Sequence, residues 1–164
     1  MDKKNTSIET TDLYRRSSSV ADEVWLATNR WPTFARDTVG IQLAKSVDSI
    51  AANLVEGDGR NYGPDAIRFF VYARASAREA RHWIRRATVR SIVSPESGEG
   101  WIAELTEIVR MVHALIRYRS EKRSVAKERR SEYNEDLFTS HIELPNESIT
   151  LDKSLVPRSL SLKP

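Results

Sequence analysis

The sequence predicts an all-α protein, an antiparallel up-down four-helix bundle with a flexible C-terminal tail. Three observations carry this. Apolar residues recur at three-four spacing in four separate stretches. Proline and glycine punctuate the gaps between them. The gaps are short, about four to ten residues, as antiparallel neighbours require.

Residues 1–11 are polar and are expected to be disordered. The first helix begins near Asp12. Its face is Val20, Val24, Ala27 and Trp31, with Ala21, Trp25 and Thr28 alongside, and Pro32 is expected to end it. The second helix starts between Arg36 and Gly40 and runs to Glu56. Leu43, Val47, Ile50 and Leu54 form its seam. A polar seam of Gln42, Ser46, Ser49, Asn53 and Glu56 runs beside it, and its small and amide residues suggest partial burial. Gly57 and Gly59 are expected to stop this helix through left-handed cap geometry.

The third helix opens at Pro64, a favourable first-turn residue, and reaches about Arg90. Phe69, Phe70, Ala73, Ala77, Ala80, Ile84 and Ala87 form its core face. Ser-Pro-Glu-Ser-Gly-Glu-Gly follows as a loop. The fourth helix carries Trp101, Leu105, Ile108, Val112 and Leu115, widened by Ile102, Val109 and Ile116, and continues to at least Ser120. The bundle therefore occupies 12–123, and 124–164 is a basic helical extension and tail. From 131 the chain reads as flexible. Alternation at Ile142, Leu144, Ile149 and Leu151 offers an extended strand as the alternative.

Composition narrows the function. Among 164 residues there is no cysteine, which excludes disulfides, thiolate metal sites and cysteine nucleophiles. No apolar run approaches the roughly 18 residues of a membrane span. The N-terminus lacks a hydrophobic signal core, so the cytoplasm is the expected compartment. The net charge is only +3, so the distribution of charge matters more than its sum.

The third helix concentrates that charge. Residues 60–90 hold eight arginines, no lysine and two acids, Asp65 and Glu79. At roughly 100° per residue, Arg74, Arg78, Arg81 and Arg85 share a narrow arc beside the apolar face. Like charges at this spacing repel by a few tenths of a kcal/mol per pair. Phosphates, bound bidentately by guanidinium, would offset that. So would acids of a neighbouring subunit or partner. A solvated or internally paired face is the plainer alternative. Arg60 and Arg86 are weaker candidates for the same surface. A second basic cluster, Arg117, Arg119, Lys122, Arg123, Lys127, Arg129 and Arg130, suits the helix dipole and could extend a phosphate-binding surface.

Catalytic and metal signatures are missing. Glu-Gly-Asp-Gly-Arg-Asn-Tyr-Gly follows a helix rather than a strand, and its third glycine falls outside the dinucleotide spacing. His82, His113 and His141 show no ligand spacing and read as surface or bundle-edge residues. No Gly-x-Ser-x-Gly elbow occurs. Glu56 and Arg60 read as a helix ion pair. The expectation is no enzyme, no metal and no cofactor.

The stretch from Trp31 to Ala87 resembles the four-helix bundle family of the 23S ribosomal RNA intervening-sequence protein. Its relatives include accessory variability proteins of diversity-generating retroelements. The most specific match is Ser49-Ile50-Ala51-Ala52-Asn53-Leu54-Val55-Glu56-Gly57-Asp58-Gly59-Arg60. Looser ones are Trp31-Pro32, Gly40-Ile41-Gln42-Leu43 and Phe70-Val71-Tyr72-Ala73-Arg74-Ala75-Ser76-Ala77-Arg78-Glu79, where Ala75 replaces a glycine. The resemblance covers about residues 20–120. It implies a bundle without catalytic residues, commonly a homopentamer, and in the retroelement branch a basic surface that binds nucleic acid and a reverse transcriptase. The expected function is thus a non-catalytic oligomeric accessory protein binding RNA or DNA through its arginines, with a reverse transcriptase as candidate partner. A homo-oligomeric scaffold whose arginines pair with acidic partner surfaces is the alternative.

Overall fold

The computed structural model describes residues 7–60 and 63–140, with side chains described through Ser131. It is all-α, as the spacing predicts. A 3-10 turn at Ile8–Thr10 leads into α1, Asp12–Thr28. A short helical turn, α2 (Thr33–Ala35), and a π-helical turn, Arg36–Gly40, lead into α3, Ile41–Gly59. Two further helices are α4, Pro64–Val89, and α5, Pro95–Ser140. The chain forms a compact unit through Lys127, and a second unit starts at Glu128. In the first unit the four long helices enclose one core.

The predicted seams are the core. Leu43, Val47, Ile50 and Leu54 of α3 are fully buried, as are Phe70, Ala73, Ala77, Ala80, Ile84 and Ala87 of α4. Leu105, Ile108 and Val112 of α5 and Val20 and Val24 of α1 complete it. The alanines of α4 let its neighbours approach closely. Phe69 departs from the expectation: it is only half-buried and lies under the Arg60 guanidinium, 5.1 Å from its ring centre.

Five boundaries differ from expectation, each for a physical reason. First, residues 7–11 are ordered. Ser7 and Thr11 cap successive helical turns, Ile8 is buried, and its backbone N–H donates to Asp58 Oδ2 at 2.9 Å. Second, α1 ends at Thr28 rather than at Pro32; Arg30 and Trp31 close a turn on Ala27 and Thr28, and Trp31 packs half-buried against the core.

Third, α3 runs through Gly57 to Gly59, and no described glycine has a positive φ. Gly57 is a close-approach glycine. A Cβ there would lie 2.6 Å from the Phe70 ring, so absence of a side chain is what admits the ring. Fourth, the expected loop from Ser94 to Gly100 is mostly helix. Ser94 accepts a hydrogen bond from the Ser97 N–H at 3.2 Å, and Pro95 takes the first helical position. The left-handed residue is instead Ser91, φ 56°. Ser91 N–H donates to Thr88 O and Ile92 N–H to Ala87 O, a Schellman closure of α4 with serine where glycine is usual. Fifth, α5 stays helical through Ser140, past the point where flexibility was expected. Ile142, Leu144, Ile149 and Leu151 lie outside the described residues.

Two ion pairs are among the contacts that tie α5 to the rest. Arg16 of α1 and Glu104 of α5 pair bidentately at 2.6 and 2.7 Å. Arg119 of α5 donates to Asp58 Oδ1 at 2.7 Å, so Asp58 ties the N-terminal turn, α3 and α5 together.

Candidate nucleic-acid interface

The arginine stripe of α4 lies along the seam with α5. The core positions of α4 face inward, and Arg74, Arg78, Arg81 and Arg85 follow at three-four spacing on the flank beside them. Two contacts mark the neighbour. Arg74 Nη1 donates to His113 Nδ1 of α5 at 3.2 Å. At the other end, Arg85 and Thr88 of α4 share a cleft of about 250 Å³ with Gly98, Glu99 and Ile102 of α5. The helices therefore run antiparallel, with the stripe along their shared edge.

The stripe is electrostatically unmatched. Among the described residues, Arg74, Arg78, Arg81 and Arg85 form no ion pair. Arg78 and Arg85 are exposed, Arg74 and Arg81 half-buried. Arg81 Nε is buried without a hydrogen-bond partner. A buried donor left unpaired costs about 1–3 kcal/mol.

The other two predicted arginines stand apart. Arg86 lies roughly 100° round the helix from Arg85, on the outward face. Arg60, on the residue that ends α3, is paired with Glu56 one turn earlier, and that hydrogen bond raises its pKa. It stacks on Phe69, whose ring is on the opposite flank of α4 from the stripe. Glu56–Arg60 is thus the helix ion pair that the spacing suggests.

The polar seam bonds to its own helix. Ser46, buried, donates to Leu43 O at 2.8 Å. Ser49 donates to Lys45 O and Asn53 Nδ2 to Ser49 O, both at 2.7 Å. Both are half-buried, while Gln42 and Glu56 are exposed. Among the described residues no cross-helix hydrogen bond from Ser49, Asn53 or Glu56 sets the helix register.

Sequence reading took His113 only as an edge residue. On α5, residues 99, 103, 106, 110, 113 and 117 recur at four-three-four-three-four spacing and are all exposed, the outward face of the helix. His113, at the edge of that face, touches Arg74. Arg110 and Arg117 share that row, which lies opposite the buried Leu105, Ile108 and Val112, and point outward from the bundle. The spacing was readable; that His113 meets α4 was not.

Among the described residues no group of three or more His, Asp or Glu could hold a metal ion, and no helix is long and apolar enough to cross a membrane.

A solved structure shares the fold. It is a protein of unknown function from the S23 ribosomal protein family of Bacteroides thetaiotaomicron VPI-5482, similar with a TM-score of 0.58 at 20% identity, over 63% of this chain and 97% of that one. No curated protein matches the chain significantly. The profile of the 23S rRNA-intervening sequence protein family matches residues 9–114, from the N-terminal turn to one residue past His113. With that match spanning most of the bundle, the chain belongs to the 23S rRNA-intervening sequence protein family.

Proposed function

We propose that this protein is a non-catalytic, oligomeric, cytoplasmic accessory protein that binds nucleic acid, RNA or DNA, through the α4 arginines. One observation carries the reading: four arginines in line, none ion-paired among the described residues, at an exposed helix seam. Repulsion along such a row is relieved by phosphates, which accept bidentate guanidinium bonds. The family's name, which refers to ribosomal RNA, supports RNA as the first ligand to try. The homopentamer rests on the family resemblance alone, and the reverse-transcriptase partner on its retroelement branch. Light scattering and co-purification test them.

The binding test is a titration with RNA and with DNA across a salt series. Affinity is expected to fall steeply with salt, and Arg78→Glu/Arg85→Glu to weaken it at least tenfold and flatten the slope. Unchanged affinity and slope in that variant contradict the reading.

A second reading, a homo-oligomeric scaffold whose arginines meet acidic partner surfaces, is favoured by exposed apolar side chains. Phe34 is 82% exposed and Leu26 59%. Under it, Arg78→Glu lowers the assembled mass in light scattering, and added nucleic acid changes nothing.

A further inference from the structure

We infer that the outward face of α4 is a stacking site for an unpaired base of a single-stranded nucleic acid. His82, backed by Trp83, is its platform, and Arg78, Arg85 and Arg86 hold the phosphates on either side. The inference rests on the nucleic-acid reading above and adds the form of the ligand.

The first argument is the pair of rings. His82 is exposed and Trp83 half-buried. Their ring centres lie 5.2 Å apart with the planes at 76°, an edge-to-face pair. In such a pair the indole leaves at least one face of the imidazole uncovered. The indole is itself held: it packs against the core, and its Nε1 donates to Glu79 Oε1 at 3.3 Å. The platform is thus fixed before a ligand arrives, which lowers the ordering cost of binding.

The second argument is the charge around the rings. His82 lies four residues after Arg78, three before Arg85 and four before Arg86, so each arginine is its neighbour one helical turn away. All three are exposed, and none is ion-paired among the described residues. Glu79 is the only acid between Arg78 and Arg86, and the Trp83 N–H engages it. A strand carries a phosphate on each side of every internal base. A ring with cations one turn before and one turn after it meets both. Stacking on rings, joined to guanidinium, is how single strands are held without regard to sequence.

The third argument is shape. A helix reads a DNA duplex by entering the major groove, which is about 12 Å wide and admits one helix. α4 has α3 against one flank and α5 against the other, and packed helices lie about 8–10 Å apart. Its outward face cannot enter a groove without them. The major groove of an RNA duplex is too deep and narrow for side chains to read. In either duplex the bases already stack on one another. Only an unpaired base offers its face to His82.

Fluorescence anisotropy of the whole protein with three probes at one salt concentration tests this. The probes are single-stranded oligodeoxyadenylate, a sugar-phosphate oligomer of the same length without bases, and the oligodeoxyadenylate annealed to its complement. The single strand is expected to bind at least about fivefold tighter than the abasic oligomer, and tighter than the duplex despite the duplex's greater charge. His82→Ala is expected to erase the preference over the abasic oligomer, while His82→Phe, which keeps a ring, retains it. Arg86→Glu is expected to weaken both single-stranded probes and reduce the log–log salt slope by about one. Circular dichroism and melting are expected to be unchanged in all three variants, because both residues are exposed. An abasic oligomer bound as tightly as oligodeoxyadenylate, or a duplex bound more tightly, overturns the inference and leaves the nucleic-acid reading standing. So does a preference that survives His82→Ala or is lost in His82→Phe, or Arg86→Glu binding like wild type. No binding of any probe at low salt overturns the nucleic-acid reading itself.

Discussion

The two flanks of α5 treat arginine in opposite ways. On the α1 side, Arg16 meets Glu104 in a bidentate pair, two-thirds buried, whose hydrogen bond holds the Glu104 carboxyl below the ordinary glutamate range. Toward the end of the bundle, Arg119 meets Asp58. On the α4 side, four arginines run in line, none of them ion-paired among the described residues. The same side chain thus fastens the bundle through ion pairs on one flank and forms none on the other, where Arg74 meets only His113. Charge that the fold leaves unmatched at an edge is charge available to a ligand.

If that contrast is right, removing acids on the paired flank damages the fold, while reversing charge on the unmatched flank does not. The largest effect is expected at Asp58. Its side chain is 22% exposed and accepts from both Arg119 and the Ile8 N–H. Asp58→Ala strands a guanidinium that is itself 14% exposed, so a loss of about 3 kcal/mol is expected by denaturant unfolding. Release of the N-terminal turn should appear as faster amide exchange at Ile8.

Glu104→Gln comes next, at about 1–2 kcal/mol near neutral pH. Its pH dependence has a definite sign. A carboxyl whose folded pKa is lowered stabilises the fold fully above its ordinary value of 4.5, and that contribution fades as pH falls through the lowered folded value. The gap between wild type and Glu104→Gln should therefore close in acid. A gap that stays constant down to strongly acidic pH argues against the ion pair.

The smallest expected effect on stability is at the stripe. Arg78→Glu/Arg85→Glu changes two exposed residues and relieves like-charge repulsion, so it should lie within about 0.5 kcal/mol of wild type or slightly above it. A loss of 2 kcal/mol or more would make the stripe a structural element and erase the contrast.

Much of the fold was legible because burial follows helical period. The seams of α3, α4 and α5 were readable residue by residue, and so was the arginine stripe as an arc. What was not legible depended on distant partners. Ile8 stands alone in a polar segment, and its burial and its bond to Asp58 link positions fifty residues apart. Gly57 looked like a helix stop because glycine has two uses, and only the Phe70 ring decides which applies. Ser94-Pro95 held a helix-start signature that the two following glycines obscured. His113 entered the site only when α5 was set beside α4. The polar seam was visible in sequence, yet its bonds turned out to close on α3 itself.

The central claim is that the α4 arginines serve a polyanion and not the fold. The most direct measurement is a thermal melt of wild type and Arg78→Glu/Arg85→Glu, each with and without an RNA duplex at low salt. The account predicts equal melting temperatures without RNA, and a rise on adding RNA in wild type alone. A variant that melts lower on its own, or a wild type whose melting is indifferent to the duplex, contradicts it.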